Sequence, residues 1–328
     1  RRLVLPALFL ASLASGVSAQ PSPFDMSGER PADAPILQPP ADTGSNAGPA
    51  EPIVTLKPPD DFKRFIIPFS ALSLTGEVDE RTWSVYLTPA QAQFAASLNF
   101  AYQNAIVVAP EASTLSIFVN GELAGEKPIG SAEAATPLSY DLKPGLLRAG
   151  SNDIRVKVRQ RHRTDCTVES TYELWTEIAP ESAFIRFASG DSATLSSLDD
   201  VRAVGLDARG RTQFNLVVPG LQQPSRTAAL MRLAQGMALR GQMPAQEFAL
   251  SETMPELAKP GQMTALVGTA EEVAPFLERL PEGASSGPVA MFVRDGKTKS
   301  SVLVISGPDW SAVQEAIEGI TQPMDRPS

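Results

Sequence analysis

A chain of 328 residues with one histidine, one cysteine and a formal net charge of -9 has room for two domains. It lacks the side chains for a His/Cys zinc cluster or an internal disulfide, and a nucleophilic triad would have to use His162, its only imidazole. The acidic balance, 28 Lys+Arg against 37 Asp+Glu, argues against a nucleic-acid partner, which needs a basic surface to displace counterions.

The first elements in chain order are not folded ones. Arg1-Arg2, an apolar run over 3–17 and the small residues Ser18-Ala19 have the layout of a secretory signal peptide over residues 1–19. The run is too short to span a bilayer and Pro6 interrupts it. Residues 20–61 hold 10 of the 29 prolines and read as an extended tether, since that composition buries too little surface to offset ordering entropy. A signal peptide puts the mature chain in a periplasm, where the lone Cys166 is left to pair outside this stretch of chain.

From 62 to 188 the texture becomes short β-rich runs at 63–69, 81–87, 95–101, 114–119, 153–158, 172–178 and 183–187. Asn120-Gly121, set between two such runs, is a strong hairpin signal. Short strands with turns every ten residues or so predict a jelly-roll β-sandwich of the carbohydrate-binding type. Over 189–322 strands alternate with helices. A strand is expected at 212–218, then a helix capped by Ser225 that runs to Arg240 with Gly241 just past its end. A strand at 263–267 leads to a helix capped by Thr269, with Glu271 and Glu272 in its first turn. A ribbon at 289–294 and 300–306 precedes a helix from Pro308 to Ile320. This alternation predicts a flavodoxin-like α/β domain, and 323–328 begin a linker.

The segment at 217–225, which includes Pro219, Gly220 and Pro224, has neither a GxGxxG nor a Walker pattern. Its prolines remove N–H donors that a flavin phosphate would need, so the α/β domain reads as a scaffold and not as a flavin enzyme. Arg155, Lys157, Arg159, Arg161 and Arg163 recur with period 2 and lie on one face of a strand. An anionic ligand is one use for them. A hairpin turning at 164–168 is the favoured reading: it would set Arg163 against Glu169, Arg159 against Glu173 and Arg155 against Glu177, with Lys157 beside Trp175. Trp83, Trp175 and Tyr172 are the candidate carbohydrate platforms. A tryptophan in a sandwich serves as core or as platform, and both readings stay open here.

Arg161-His162-Arg163-Thr164-Asp165-Cys166-Thr167, followed by Tyr172-Glu173-Leu174-Trp175-Thr176-Glu177-Ile178, resembles the periplasmic B subunit of bacterial cellulose synthase, the family called the cyclic di-GMP-binding regulatory subunit. The signal peptide, the proline-rich lead, the run Ser116–Gly121 and the run Asn215–Pro219 add to the likeness, which covers about residue 60 to the end. The resemblance implies a noncatalytic subunit made of two repeats, each a jelly roll and a flavodoxin-like domain, with a C-terminal membrane anchor; this chain corresponds to the first repeat. It implies no cofactor on this chain, with cyclic di-GMP bound instead by the catalytic A subunit in the cytoplasm. The implied partners are that A subunit and nascent cellulose, with membrane association through the partner and the anchor. A free-standing sugar-binding adhesin is the competing expectation.

Overall fold

The computed structural model describes residues 63–163, 173–188, 194–256, 259–294 and 301–321. The expected signal peptide and tether, residues 1–61, lie outside them, as do Asp165, Cys166 and Tyr172. In the first part of the chain the strands are β1 (Lys63–Phe65), β2 (Leu72–Thr75), β3 (Val78–Leu87), β4 (Ala95–Asn104) and β5 (Thr114–Val119). They continue with β6 (Glu122–Pro128), β7 (Thr136–Asp141), β8 (Gly150–Arg159), β9 (Trp175–Ile178) and β10 (Phe184–Phe187). A short helix, α1 (Pro89–Phe94), joins β3 to β4; Thr88 and Gln91 form its capping box.

These strands make two sheets. One has the order β1-β10-β4-β9-β2, with β7 on the other side of β4; the second has the order β3-β8-β5-β6. Alternation along each strand turns one set of side chains inward. Trp83, Val85, Leu98, Phe100, Leu115, Ile117, Ile154, Val156 and Ile185 form the layer between the sheets. Asn120 and Gly121 both have positive φ, 51° and 84°, as the two-residue turn that matches strand twist requires. Val119 therefore pairs with Glu122.

The hairpin expected between the basic run and the Glu173–Glu177 run does not form. β8 pairs with β3 and β5, whereas β9 lies in the other sheet, against β2 and β4. The reason is packing: Val156 and Val158 face Leu174 and Ile178 across the sandwich core, and a hairpin would place both apolar sets in one sheet. The charges are met otherwise. Glu80 on β3 lies 4.0 Å from Arg155 and 3.8 Å from Lys157, Arg155 covers the Phe118 ring at 4.3 Å, and Arg161 pairs with Glu77 at 3.0 Å. The chain's crossing from one sheet to the other is tied by buried Gln160. It accepts a bond from Thr176 Oγ1 at 2.8 Å and donates to Gly76 O at 2.8 Å.

The second part contains β11 (Thr212–Val217), α2 (Thr227–Gly241), β12 (Gln246–Ser251), β13 (Gln262–Thr269) and α3 (Ala270–Val273). β14 (Val289–Arg294), β15 (Ser301–Gly307) and α4 (Trp310–Thr321) follow. Its sheet has the order β12-β11-β13-β15-β14, parallel except for β14. Val302 to Ile305 are all buried, as a parallel strand covered on both faces requires. Leu233, Met237, Val313 and Ile317 of α2 and α4 pack on one side. Val217, Leu266, Val273 and Val304 form a smaller cluster with Phe276 and Leu277. Among the described residues helix content is small and strand is the commoner element.

Local details depart from expectation where side chains compete for backbone groups. Ser225 does not cap α2, which starts at Thr227 after a 3-10 turn at Pro224–Arg226. The left-handed residue past α2 is Gln242, φ 52°. Gly241 is the last helical residue, placed where a Cβ would crowd Phe214 and Gln246. At α4 it is Asp309 that caps, accepting from Ala312 N at 2.9 Å, and Pro308 lies outside. β2, β7, β12 and α1 have no counterpart among the expected elements. Replacing Phe100, 2 % exposed between the sheets, with alanine is expected to cost about 3–5 kcal/mol. A urea-unfolding midpoint unchanged from wild type would contradict that packing.

Candidate functional site

The segment that carried the resemblance is fixed to the rim of the sandwich through its backbone. Arg161 N donates to Ser113 Oγ at 2.9 Å and Ala109 N to Arg161 O at 2.7 Å. His162 bridges Val108, and Arg163 donates from N to Val107 O and from Nε to Val108 O. The side chains of Arg161, Arg163 and Glu173 are exposed. Asp165, Cys166 and Tyr172 of the same segment lie outside the described residues.

The two tryptophans have different settings. Trp83 lies inside β3, in step with Val85 and Leu87, and is 7 % exposed. Its ring meets Phe69 edge to face at 6.2 Å. Trp175 starts β9, pairs with Thr75 and is half-buried against the sandwich core.

Sequence reasoning missed the joint between the two domains. Arg64 of β1 is buried, and its Nη1 donates to Tyr86 O at 2.5 Å and to Gln91 Oε1 at 2.9 Å. Gln91 in turn donates from Nε2 to Ala203 O at 3.2 Å, across to the second part of the chain. Phe65 bridges Leu206, and Gly205, φ +79°, lies where a Cβ would run into Arg64 Nε. Burial pushes the guanidinium down to about 9, so Arg64 is still cationic at neutral pH. A cleft of about 410 Å³ opens beside it, walled by Phe69, Trp83, Tyr86, Arg202, Met243 and Pro244. Arg202 lies 4.7 Å from the Tyr86 ring. The one signal for this joint was an arginine set in an apolar strand, Lys63–Phe65 followed by Ile66 and Ile67.

At the carboxyl ends of β11 and β13, where open parallel sheets bind ligands, buried Arg226 pairs with half-buried Glu272. Arg226 donates from Nη2 to Glu272 Oε1 at 2.6 Å and from Nη1 to Oε2 at 3.1 Å and to Pro219 O at 2.8 Å. It also stacks 4.3 Å over the Trp310 ring. Thr269 caps α3 as expected, and Thr269 N donates to Glu272 Oε2 at 2.9 Å. Burial alone would raise Glu272; the hydrogen bonds from Arg226 and Thr269, with the Arg226 charge, outweigh it and hold the carboxyl below its usual range. Among the described residues no group of His, Cys, Asp and Glu could hold a metal ion.

The fold and these sites define a β-sandwich of the carbohydrate-binding-module class joined to a second domain built on a mostly parallel sheet. The family model described as "Cellulose synthase BcsB, first CBM domain" matches residues 59–189, and "Cellulose synthase BcsB, first FD domain" matches residues 197–326. The chain belongs to the cellulose synthase BcsB family, a family of cellulose synthase subunits, and corresponds to its N-terminal half.

Among curated proteins no match is found. Among solved structures, the chain is similar to the β-glucuronidase of Ruminococcus gnavus, with 12 % identity, 32 % of this chain, 20 % of that one and a TM-score of 0.23. It is also similar to the CBM36-1 domain of a multidomain xylanase from the hindgut metagenome of Trinervitermes trinervoides (12 %, 36 % and 77 %, TM-score 0.21). The sugar-binding EclA C-terminal domain is another such structure (15 %, 40 % and 84 %, TM-score 0.22). The chain spans one fifth of the glucuronidase.

The Glu272 carboxylate has a definite pH signature. A depressed folded pKa stabilises the protein above the ordinary carboxylate value, about 4.3, and the contribution disappears as pH falls through the lower folded value. Glu272→Gln is therefore expected to be less stable than wild type at pH 7, with the gap closing in acid. Urea unfolding at pH 7 and at about pH 3 measures it; an equal gap at both would contradict the ion pair.

Proposed function

We propose that this chain is a noncatalytic periplasmic part of the cellulose synthase complex that supports the membrane-bound catalytic A subunit and guides the nascent β-1,4-glucan across the periplasm. The observation that carries the reading is the family membership, with the first CBM-type and first FD-type domains in order along most of the chain. A periplasmic location is also what the expected signal peptide over 1–19 implies. Membrane association would come from the A subunit and from a C-terminal anchor in the remainder of the protein.

The second domain is read as flavodoxin-like in topology and as a scaffold in use. In support, Arg226, Glu272 and Trp310 bind one another at the carboxyl edge of its sheet. Cyclic di-GMP, a cytoplasmic messenger, is assigned to the A subunit and not to this chain.

Glucan contact is assigned to Trp175 with Tyr172. Trp175 is only partly buried, whereas Trp83 is nearly enclosed and contributes first to packing. Trp175→Ala in the whole protein is expected to weaken cellohexaose binding severalfold, on the order of 1 kcal/mol for a lost ring stack. Unchanged binding would remove that assignment. The complex itself is tested by deletion and purification: membranes lacking this subunit should lose cellulose export, and the tagged protein should carry a multi-spanning glycosyltransferase with it. Recovery of the protein alone, with export intact, would favour the adhesin reading.

A further inference from the structure

The cleft at the joint has a chemical bias of its own. Its lining contains two arginines, Arg64 and Arg202, and no aspartate or glutamate. Among the described residues neither arginine makes an ion pair. The nearby Asp153 is not part of the lining and accepts from Ser84 Oγ at 2.7 Å on the rim. Two buried polar atoms of the lining have no hydrogen-bond partner, Arg64 Nε and Trp83 Nε1. Both are obligate donors, on residues only 4 % and 7 % exposed.

Arg64 Nε is enclosed beside Gly205 and does not open into the cleft, but a buried cation with no counter-ion is still costly unless something supplies negative charge. The protein as a whole is acidic, at -9, so a carboxylate-free pocket with two guanidinium groups is a local exception. Much of the remaining lining is apolar or aromatic: Phe69, 41 % exposed, packs edge to face with Trp83, and Pro68, Met243 and Pro244 also line the cleft. About 410 Å³ falls in the range of small-molecule sites, which favour domain boundaries.

We propose that this cleft binds a small ring-bearing organic anion, its carboxylate or phosphate group held by Arg64 and Arg202 and its ring lying against Phe69. The ligand is distinct from a neutral glucan, and the site does not depend on the guiding role. A planar guanidinium favours a carboxylate or a phosphate by paired hydrogen bonds. The ring adds apolar contact that an inorganic ion cannot make.

The test is calorimetric titration of the whole protein at low salt with D-glucuronate, glucose 6-phosphate and benzoate. Glucose serves as the uncharged ring and inorganic phosphate as the ringless anion. At least one charged ring should saturate a single site, with glucose and inorganic phosphate weaker by roughly tenfold or more. The glucuronate and glucose 6-phosphate arms decide between carboxylate and phosphate. Because Arg64→Ala could unfold the joint, the variants are Arg202→Ala, expected to weaken binding roughly tenfold, and Met243→Trp, expected to block the cleft. Both should keep the wild-type circular dichroism. Glucose binding as tightly as the charged rings would overturn the proposal. So would affinity unchanged in both variants, or no saturation by any charged ring at about 10 mM.

Discussion

A guanidinium with no counter-ion, enclosed where two domains meet, is the constraint on which the rest of this molecule depends. Moving an ion out of water costs several kcal/mol even after relaxation, and Arg64 is withdrawn almost wholly. The cost is offset only if the surrounding acceptors are held in place. Tyr86 O comes from the end of β3 and Gln91 Oε1 from α1. Gln91 is fixed from both sides, by the capping box with Thr88 and by its bond to Ala203 O. The first turn of a helix, the last residues of a strand and the entry to the second domain are thus coupled through one side chain. Gly205 belongs to the same constraint: only a residue without a Cβ leaves room for Arg64 at that backbone conformation.

The sandwich depends on a second constraint, the inward face of β8. Its valines were readable as one face of a strand from their period, and Arg155, Lys157 and Arg159 as the other, whereas Arg161 and Arg163, expected on the same strand, lie past its end. Pairing was not readable. Charge complementarity between the Arg155–Arg163 and Glu169–Glu177 runs suggested a hairpin, but ladder pairs of opposite charge contribute only about 0.2–1 kcal/mol each. Burying Val156, Val158 and Ile178 from opposing sheets contributes about 1.5–3 kcal/mol per side chain. Apolar burial outweighs charge pairing here and decides the topology. Glu80, which meets Arg155 and Lys157 in the structure, lies some 75 residues before them in the chain, and a local reading of charge had no means to find it.

The second domain was legible where backbone chemistry is local. Thr269 and its Glu272 partner, the β14–β15 ribbon and the β11 strand follow from spacing and capping residues. Edge strand β12 was not legible, because Gln246–Ser251 is mostly half-exposed and has no clean alternation. The Arg226–Glu272–Trp310 cluster joins residues some 46 and 84 positions apart, so its presence at the end of the sheet was beyond any motif. Segment 217–225 meets this cluster through Pro219 O, which accepts from Arg226 Nη1. The cleft was hidden for the same reason as the joint: its walls come from distant stretches that the fold alone brings together.

The buried Arg64 network should make the sandwich and the second domain one cooperative body, and scanning calorimetry of the whole protein tests this most directly. Wild type should melt in a single transition, and Gln91→Ala, which removes the acceptor shared by Arg64 and the donor to Ala203, should separate the melt into two. Two transitions already present in wild type, or a single unshifted one in Gln91→Ala, would contradict the account.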